Sequence, residues 1–407
     1  MDTGGSERAT LTAAEAAAEL NVSRATLYAY VSRGLLRSEP VPGSRSRLYR
    51  ADDVRRLRAR PEPGEPLSWG EPVLASAITL IAGGRLYYRG RDAAALAVSA
   101  SVEAVARLLW QQNRIDPFAA PPPRLPALPA GLAGLPLCQA VLPVAASADL
   151  PAFNLAPAGV AATGARVLRL MTTLLAGADT GAEARPIEAQ LRRGWGADTS
   201  ADPVLRAALI LCADHELNPS AFAARVVAST GATPYAAVQA GLAALQGPRH
   251  GGATAQVAAF LDQIAPAAAI PQQIARRLER GEPLPGFGHP LYPEGDLRAR
   301  LLLDLAEAAA PGSDRLHHAR AVASATAALT GQTPNIDFAL VAAARALGLP
   351  AAAPLGLFAI GRCVGWIAHA QEQYGEPGVI RPRARYRGDP PKPSRADQPV
   401  SAARAAP

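Results

Sequence analysis

Apolar and polar positions alternate with the helical period over most of this chain, and proline and glycine cut the pattern into short segments. The first periodic stretch runs from Ala13 to Leu20, with Thr12 at the cap and Glu15 at capping-box spacing. A second, capped by Ser23, carries Ala25, Leu27, Tyr28 and Val31 and stops at Gly34. A basic loop from Pro42 to Arg47 follows, then Leu48-Tyr49-Arg50 and a short helix from Asp52. Pro61 to Pro66 reads as a stiff linker. The pattern thus sets a first domain at 1–60, a linker at 61–68 and a second domain at 69–387. Within the second domain, Tyr88-Arg89-Gly90-Arg91-Asp92 is expected to open a helix. Residues 116–152 are dense in proline and predict irregular connections rather than long helices. Helical periodicity returns from 157 to 375, and the polar, proline-rich tail at 388–407 predicts disorder. The expected fold class is mainly α.

Composition agrees with that reading. Of 407 residues 49% are hydrophobic, enough for a large core, while aromatics are only 5%. Lys392 is the sole lysine, so arginine carries the positive charge, and the net charge of +7 is modest for this length. Cys138, Cys212 and Cys363 lie far apart with no CxxC pair, which argues against zinc or a disulfide framework and suits a reducing compartment. The N-terminus lacks a basic-then-apolar signal pattern, and no stretch is uninterruptedly apolar for a membrane span. A cytoplasmic protein without membrane contact is the expectation.

Helix, tight turn, helix and basic hairpin at the N-terminus resemble the winged helix-turn-helix of MerR-like and excisionase-like DNA-binding domains. The resemblance places Ser23, Arg24, Thr26 and Tyr28 toward the major groove and Arg45 and Arg47 on the wing near phosphate. Through residue 60 there are eleven arginines against seven acids, which suits DNA. The alternative is a small helical appendage with a solvated basic face.

Chemistry concentrates in three distant segments: Gly-Pro-Arg-His250-Gly-Gly-Ala, Pro-Gly-Phe-Gly-His289-Pro-Leu-Tyr and Pro-Asn-Ile-Asp337-Phe. Two imidazoles and a carboxylate form a set for proton transfer beside a carbonyl. The bland readings are a turn histidine, a proline-glycine turn, and Asp337 as a helix N-cap before its apolar run. Asp214-His215-Glu216 lacks metal-ligand spacing, so no metal is expected. Arg362 is a charge inside an apolar helix and calls for an anionic partner, either a structural acid or a ligand carboxylate. Arg381 and Arg383 are extended and could reach an adjacent subunit, or form a solvated basic strand.

In this order the segments resemble the citrate synthase family, from about Trp69 to Gly388. The parts that carry it are Tyr88-Arg-Gly, Ala213-Asp-His215-Glu-Leu-Asn, Phe222-Ala-Ala-Arg225-Val, the three segments above, Gly361-Arg362-Cys-Val-Gly-Trp366-Ile-Ala-His369 and Arg381-Pro-Arg383. The resemblance implies a large helical domain with a smaller inserted helical domain, at about 252–345, in a homodimer. It implies condensation of a short acyl-CoA, acetyl-CoA or propionyl-CoA, with oxaloacetate to give citrate or 2-methylcitrate and CoA. No cofactor is implied beyond the coenzyme A thioester, which is a substrate. Asp337 would abstract the α-proton, His250 would hold the thioester oxygen, and His289 would polarise the ketone. His215, Arg298, Arg362 and Arg381 would bind carboxylates, Arg381 from the partner subunit. Three features depart from the family: Leu297 takes the place of the proline in the usual Asp-Pro-Arg, the proline-rich stretch near residue 120 replaces a usually more helical segment, and the helix-turn-helix is an addition. The addition opens a second class of function, a DNA-binding regulator that senses a metabolite through a catalytic-type domain.

Overall fold

The computed structural model describes residues 10–20, 27–28, 31, 36–41, 47–58, 74–119, 129–177, 186–265, 269–382 and 387–388. Ser23, Arg24, Thr26, Arg45, Arg383, the 61–68 linker and the tail from 389 lie outside the described residues. Contacts divide the chain into two units, Met1–Val73 and Leu74–Pro407.

In the first unit, β1 (Thr10–Thr12), α1 (Ala13–Glu19), β2 (Ser38–Pro40), β3 (Arg47–Arg50) and α2 (Ala51–Arg58) are described. Thr12 Oγ1 accepts from the Glu15 N–H, and the Thr12 N–H donates to Glu15 Oε2 at 2.8 Å, so the expected capping box is present. β3 lies between β1 and β2, antiparallel to both, with Leu11 and Ser38 opposite Tyr49. A small core of Ala16, Leu27, Leu36, Tyr49 and Val54 fills the unit. Tyr28 is exposed. The Arg47 guanidinium is engaged within its own hairpin, donating to Ser38 Oγ and to the Ser38 carbonyl.

The second unit begins with a three-stranded antiparallel sheet that the helical periodicity did not predict: β4 (Thr79–Ala82), β5 (Arg85–Tyr88) and β6 (Arg91–Asp92). Asp92 then caps α3 (Ala93–Ser99), followed by α4 (Val102–Leu109). Tyr88 and Arg89 therefore sit on a strand end and a turn, not in a helix start. Their side chains tie the sheet to the helices: Tyr88 donates to the Ile210 carbonyl and Arg89 to that of Leu109.

The proline-rich stretch holds a 15-residue helix, α5 (Gly134–Ala148), contrary to expectation. Pro136 falls in its first turn, where a missing N–H costs nothing. Pro143 removes an interior hydrogen bond, but Gln239 Nε2 donates to the freed Gln139 carbonyl at 3.0 Å. Burial of Leu135, Leu137, Cys138, Val141 and Leu142 supplies the remaining stabilisation.

Among the described residues eleven α-helices follow: α6 (Pro157–Ala176), α7 (Ile187–Gly194), α8 (Asp202–Leu211), α9 (Pro219–Ala228), α10 (Pro234–Leu245), α11 (Ala253–Gln263), α12 (Ile270–Glu279), α13 (Leu297–Ala309), α14 (Asp314–Thr330), α15 (Ile336–Ala346) and α16 (Ala353–Tyr374). α16 packs against α6, α8, α9 and α10, while α15 packs against α11, α13 and α14. By length and composition α16 could cross a membrane, yet nearly all of it is buried among other helices. A Cβ at Gly361 would lie 2.5 Å from the Leu209 carbonyl and one at Gly365 2.3 Å from that of Ala213. Only glycine lets α16 pass this close to the segment that carries His215.

Candidate functional site

The strongest local organisation joins the His289 loop to the start of α15. Gly288 N–H donates to the Thr333 carbonyl, Asn335 N–H to that of Gly286, and Asn335 Nδ2 to that of Gly288. Gly286 has φ +88°, and a Cβ there would meet Val257 Cγ2 at 2.8 Å and Phe338 Cβ at 2.9 Å. That is why Pro-Gly-Phe-Gly needs its first glycine.

Asn335, not Asp337, caps α15: its Oδ1 accepts from the N–H groups of Asp337 and Phe338. The Asp337 carboxylate is therefore free of the capping role. Part of the residue reaches solvent, but its Oδ1 is buried and has no hydrogen-bond partner among the described residues. Burial raises its pKa to about 7, against the pull of Arg298 and Arg362. A carboxylate poised near neutrality suits a general base.

His250 closes the turn before α11, its N–H donating to the Gly247 carbonyl. Its Nε2 lies 2.8 Å from Ser220 Oγ, and that hydroxyl is also 2.7 Å from Asn218 Oδ1. The single Ser220 proton serves one of these at a time. Directed at His250, it leaves the ring's own proton on Nδ1 as a donor. Burial, with Arg362, lowers the His250 pKa to about 3, so the imidazole is neutral. The His289 proton is placed more firmly. Its Nδ1 accepts from the Leu291 N–H at 3.1 Å, so the neutral ring carries hydrogen on Nε2. Burial and Arg298 hold its pKa down at about 4.

His215 lies 5.1 Å from His289, ring to ring and edge-on, and burial together with Arg298 and Arg362 depresses its pKa well below the ordinary value. Asp214 beside it is spent on structure, pairing with His369 Nε2 at 3.1 Å and accepting from Thr79 Oγ1 at 2.6 Å. Arg298 stands in the first turn of α13 and is bidentate to Asp296, at 2.9 and 2.8 Å. Leu297, in place of the usual proline, is simply the first residue of that helix. Among the described residues Arg362 has no acidic partner in contact: its Nε donates to the Cys212 carbonyl at 2.8 Å, while its buried Nη1 has no partner. Its guanidinium carbon is 5.0 Å from the Phe358 ring centroid, and Phe358 in turn meets the His250 ring edge-on. Burial lowers the Arg362 pKa, with Asp214 opposing.

Direct contacts and mutual electrostatics thus join six of the seven expected residues: His215, His250, His289, Arg298, Asp337 and Arg362. Arg381 is exposed, next to Ile380, whose N–H donates to Ser229 Oγ beyond the end of α9. Ser220 is at the opposite end of α9, about 14 Å away at 1.5 Å per residue. Sequence reasoning assigned no role to Ser220, Tyr292, Asp296 or Phe358. Tyr292 and Asp296 lie inside the motif segments, but only their contacts reveal what they do.

Imidazoles with depressed pKa values, a carboxyl raised to about 7 and two buried guanidiniums thus gather around one helical core. Residues 161–383 match the family model for the citrate synthase C-terminal domain, and residues 10–60 match that for a helix-turn-helix domain. The chain belongs to the citrate synthase family. It is 38% identical over 186 residues to citrate synthase of Haloferax volcanii, covering 45% of this chain and 49% of that protein. It is 36% identical over 184 residues to citrate synthase 2 of Bacillus subtilis, 44% of this chain and 50% of the relative. The chain thus spans about half the length of the curated relatives it matches. Citrate synthase from Thermotoga maritima superposes with a TM-score of 0.68 at 26% identity, over 80% of this chain and 96% of that one. The fold is also that of the Thermoplasma acidophilum citrate synthase solved with carboxymethyl coenzyme A and oxaloacetate, with a TM-score of 0.68 at 24% identity over 79% and 96% of the two chains.

Proposed function

We propose that this protein condenses acetyl-CoA, or propionyl-CoA, with oxaloacetate and hydrolyses the product thioester to citrate or 2-methylcitrate and CoA. The observation that carries this reading is the buried Asp337 Oδ1, which has no hydrogen-bond partner and belongs to a carboxyl poised near pH 7. Asp337 takes a proton from the acyl α-carbon, and His250 Nδ1–H donates to the thioester oxygen as the enol forms. The enol carbon then bonds to the oxaloacetate ketone carbon, and His289 Nε2–H protonates the oxygen that becomes hydroxyl. Water cleaves the thioester and releases the CoA thiol.

His215, Arg298 and Arg362 bind the oxo-acid carboxylates, the unpaired Arg362 Nη1 giving a charge-assisted hydrogen bond worth about 1.5–3 kcal/mol. Arg381 completes the set from the second subunit of a homodimer, which agrees with its exposure and its place beyond the far end of α9. The segment at about 252–345, α11 to α15, is the small domain whose closure excludes water before the carbanion forms.

The helix-turn-helix match favours a second reading, a DNA-binding regulator in which the same site senses an oxo acid or acyl-CoA. Oxaloacetate-dependent release of CoA thiol by the purified full chain separates the two. Release is expected with at least one acyl-CoA, and the kcat/KM ratio selects citrate or 2-methylcitrate. No release with either, alongside DNA binding that weakens steeply with salt, would favour the regulator.

A further inference from the structure

Tyr292 touches more of the site than any residue with an assigned role. It is 3% exposed, and its ring centroid lies 5.0 Å from that of His289 and 5.6 Å from that of His215. The Arg298 guanidinium carbon lies 4.9 Å from the same centroid. Its hydroxyl is 2.9 Å from His215 Nε2. The backbone fixes its position: Tyr292 N–H donates to the His289 carbonyl, and Gly295 N–H to that of Tyr292.

The hydrogen bond crosses between segments. His215 belongs to the turn between α8 and α9, whereas Tyr292 belongs to the loop that leads into α13. A neutral imidazole and a phenol hold one proton each, and their mutual hydrogen bond uses only one of them. If the phenol donates, His215 keeps its hydrogen on Nδ1. If Nε2–H donates, the phenol proton is the one left over. In either state the pair retains one donor, on a buried ring that packs against His289. Without the phenol, Nε2 would be a buried polar atom short of a partner, and the ring would lose its orientation.

We propose that Tyr292 is a positioning residue for oxo-acid binding: its hydroxyl sets the ring plane and tautomer of His215, and its ring sets the plane of the Arg298 guanidinium. This rests on the condensation reading above. With its guanidinium carbon over the aromatic ring, Arg298 keeps its N–H groups for Asp296 and for a substrate carboxylate.

The test compares wild type, Tyr292→Phe, His215→Asn and the double variant in the full-length protein. Each is assayed by oxaloacetate calorimetry, by thermal melting and by KM and kcat for both substrates. Tyr292→Phe should raise the oxaloacetate Kd and KM roughly three- to tenfold, the worth of one buried hydrogen bond, and leave the acetyl-CoA KM nearly unchanged, with a modest fall in melting temperature from the unpartnered Nε2. The double variant should bind oxaloacetate no more weakly than His215→Asn alone, since Tyr292 acts through His215. An unchanged oxaloacetate Kd in an active Tyr292→Phe, or losses that multiply in the double variant, would overturn the role of Tyr292 and leave the reaction standing. Wild type that neither binds oxaloacetate nor releases CoA would overturn both.

Discussion

Asp296 and Asp337 lie at adjoining helix starts and differ in what their oxygens touch. Asp296 accepts from the Arg298 N–H, Nε and Nη2 and from the Ile336 N–H. Burial opposes its ionisation, but Arg298 outweighs burial and its pKa falls below the ordinary value. Asp337 has a buried oxygen without a partner, and its pKa rises to about 7. Burial is common to both, so hydrogen bonding decides which becomes structural and which reactive. The pairing also has a direction. Asp296 Oδ2 holds the first N–H of α15, so the structural aspartate anchors the helix that carries the reactive one.

The comparison breaks most completely at Asp337. Asp337→Asn should lower kcat about 10²–10⁴-fold, because the amide cannot accept the α-proton, and circular dichroism should be unchanged. Stability should move the other way. A carboxyl whose folded pKa is raised from about 4 to about 7 binds its proton more tightly when folded. The contribution of Asp337 to stability is then fully present below about pH 4 and is lost as pH rises to about 7, while the depressed histidines act in the opposite direction below about pH 6.5. In melts taken from about pH 4 to 7, wild type should lose stability relative to Asp337→Asn as pH rises, and a difference that does not change with pH would mean that the carboxyl is not the buried, raised group described. Asp296→Asn should invert the pattern. It leaves the buried Arg298 charge without its counterion, so the fold should lose about 3–5 kcal/mol in denaturant titrations. Its smaller effect on kcat should follow from misplaced Arg298 and α15. Unaltered stability would contradict the structural assignment.

Much of this was legible in the chain. The Thr12–Glu15 capping box and the start of α11 after His250 follow from local rules, since each depends on residues within one turn. His250, His289 and Asp337 were legible through their motifs, because the loops that hold them need glycine and asparagine at fixed offsets. Four features were not legible, for different physical reasons. The capping asparagine, two positions before Asp337, decided that Asp337 was free, which spacing alone left open. The helix across Pro143 survives because Gln239, remote in sequence, satisfies the freed carbonyl. Of the two partners expected for Arg362, a structural acid or a ligand carboxylate, no acid is in contact among the described residues; its Nε donates to the Cys212 backbone carbonyl and its buried Nη1 has no partner there. The small antiparallel sheet escaped notice because its strands are two to four residues long, too short for a period-two pattern.

The most direct test of Asp337 as the base is the pH dependence of kcat/KM for acetyl-CoA at saturating oxaloacetate. The account predicts a tenfold-per-unit fall as pH drops below about 7, where Asp337 takes up its proton, with the histidines already neutral. A profile flat from roughly pH 5 to 8 would contradict it, because the proton acceptor would then titrate like an ordinary exposed carboxylate.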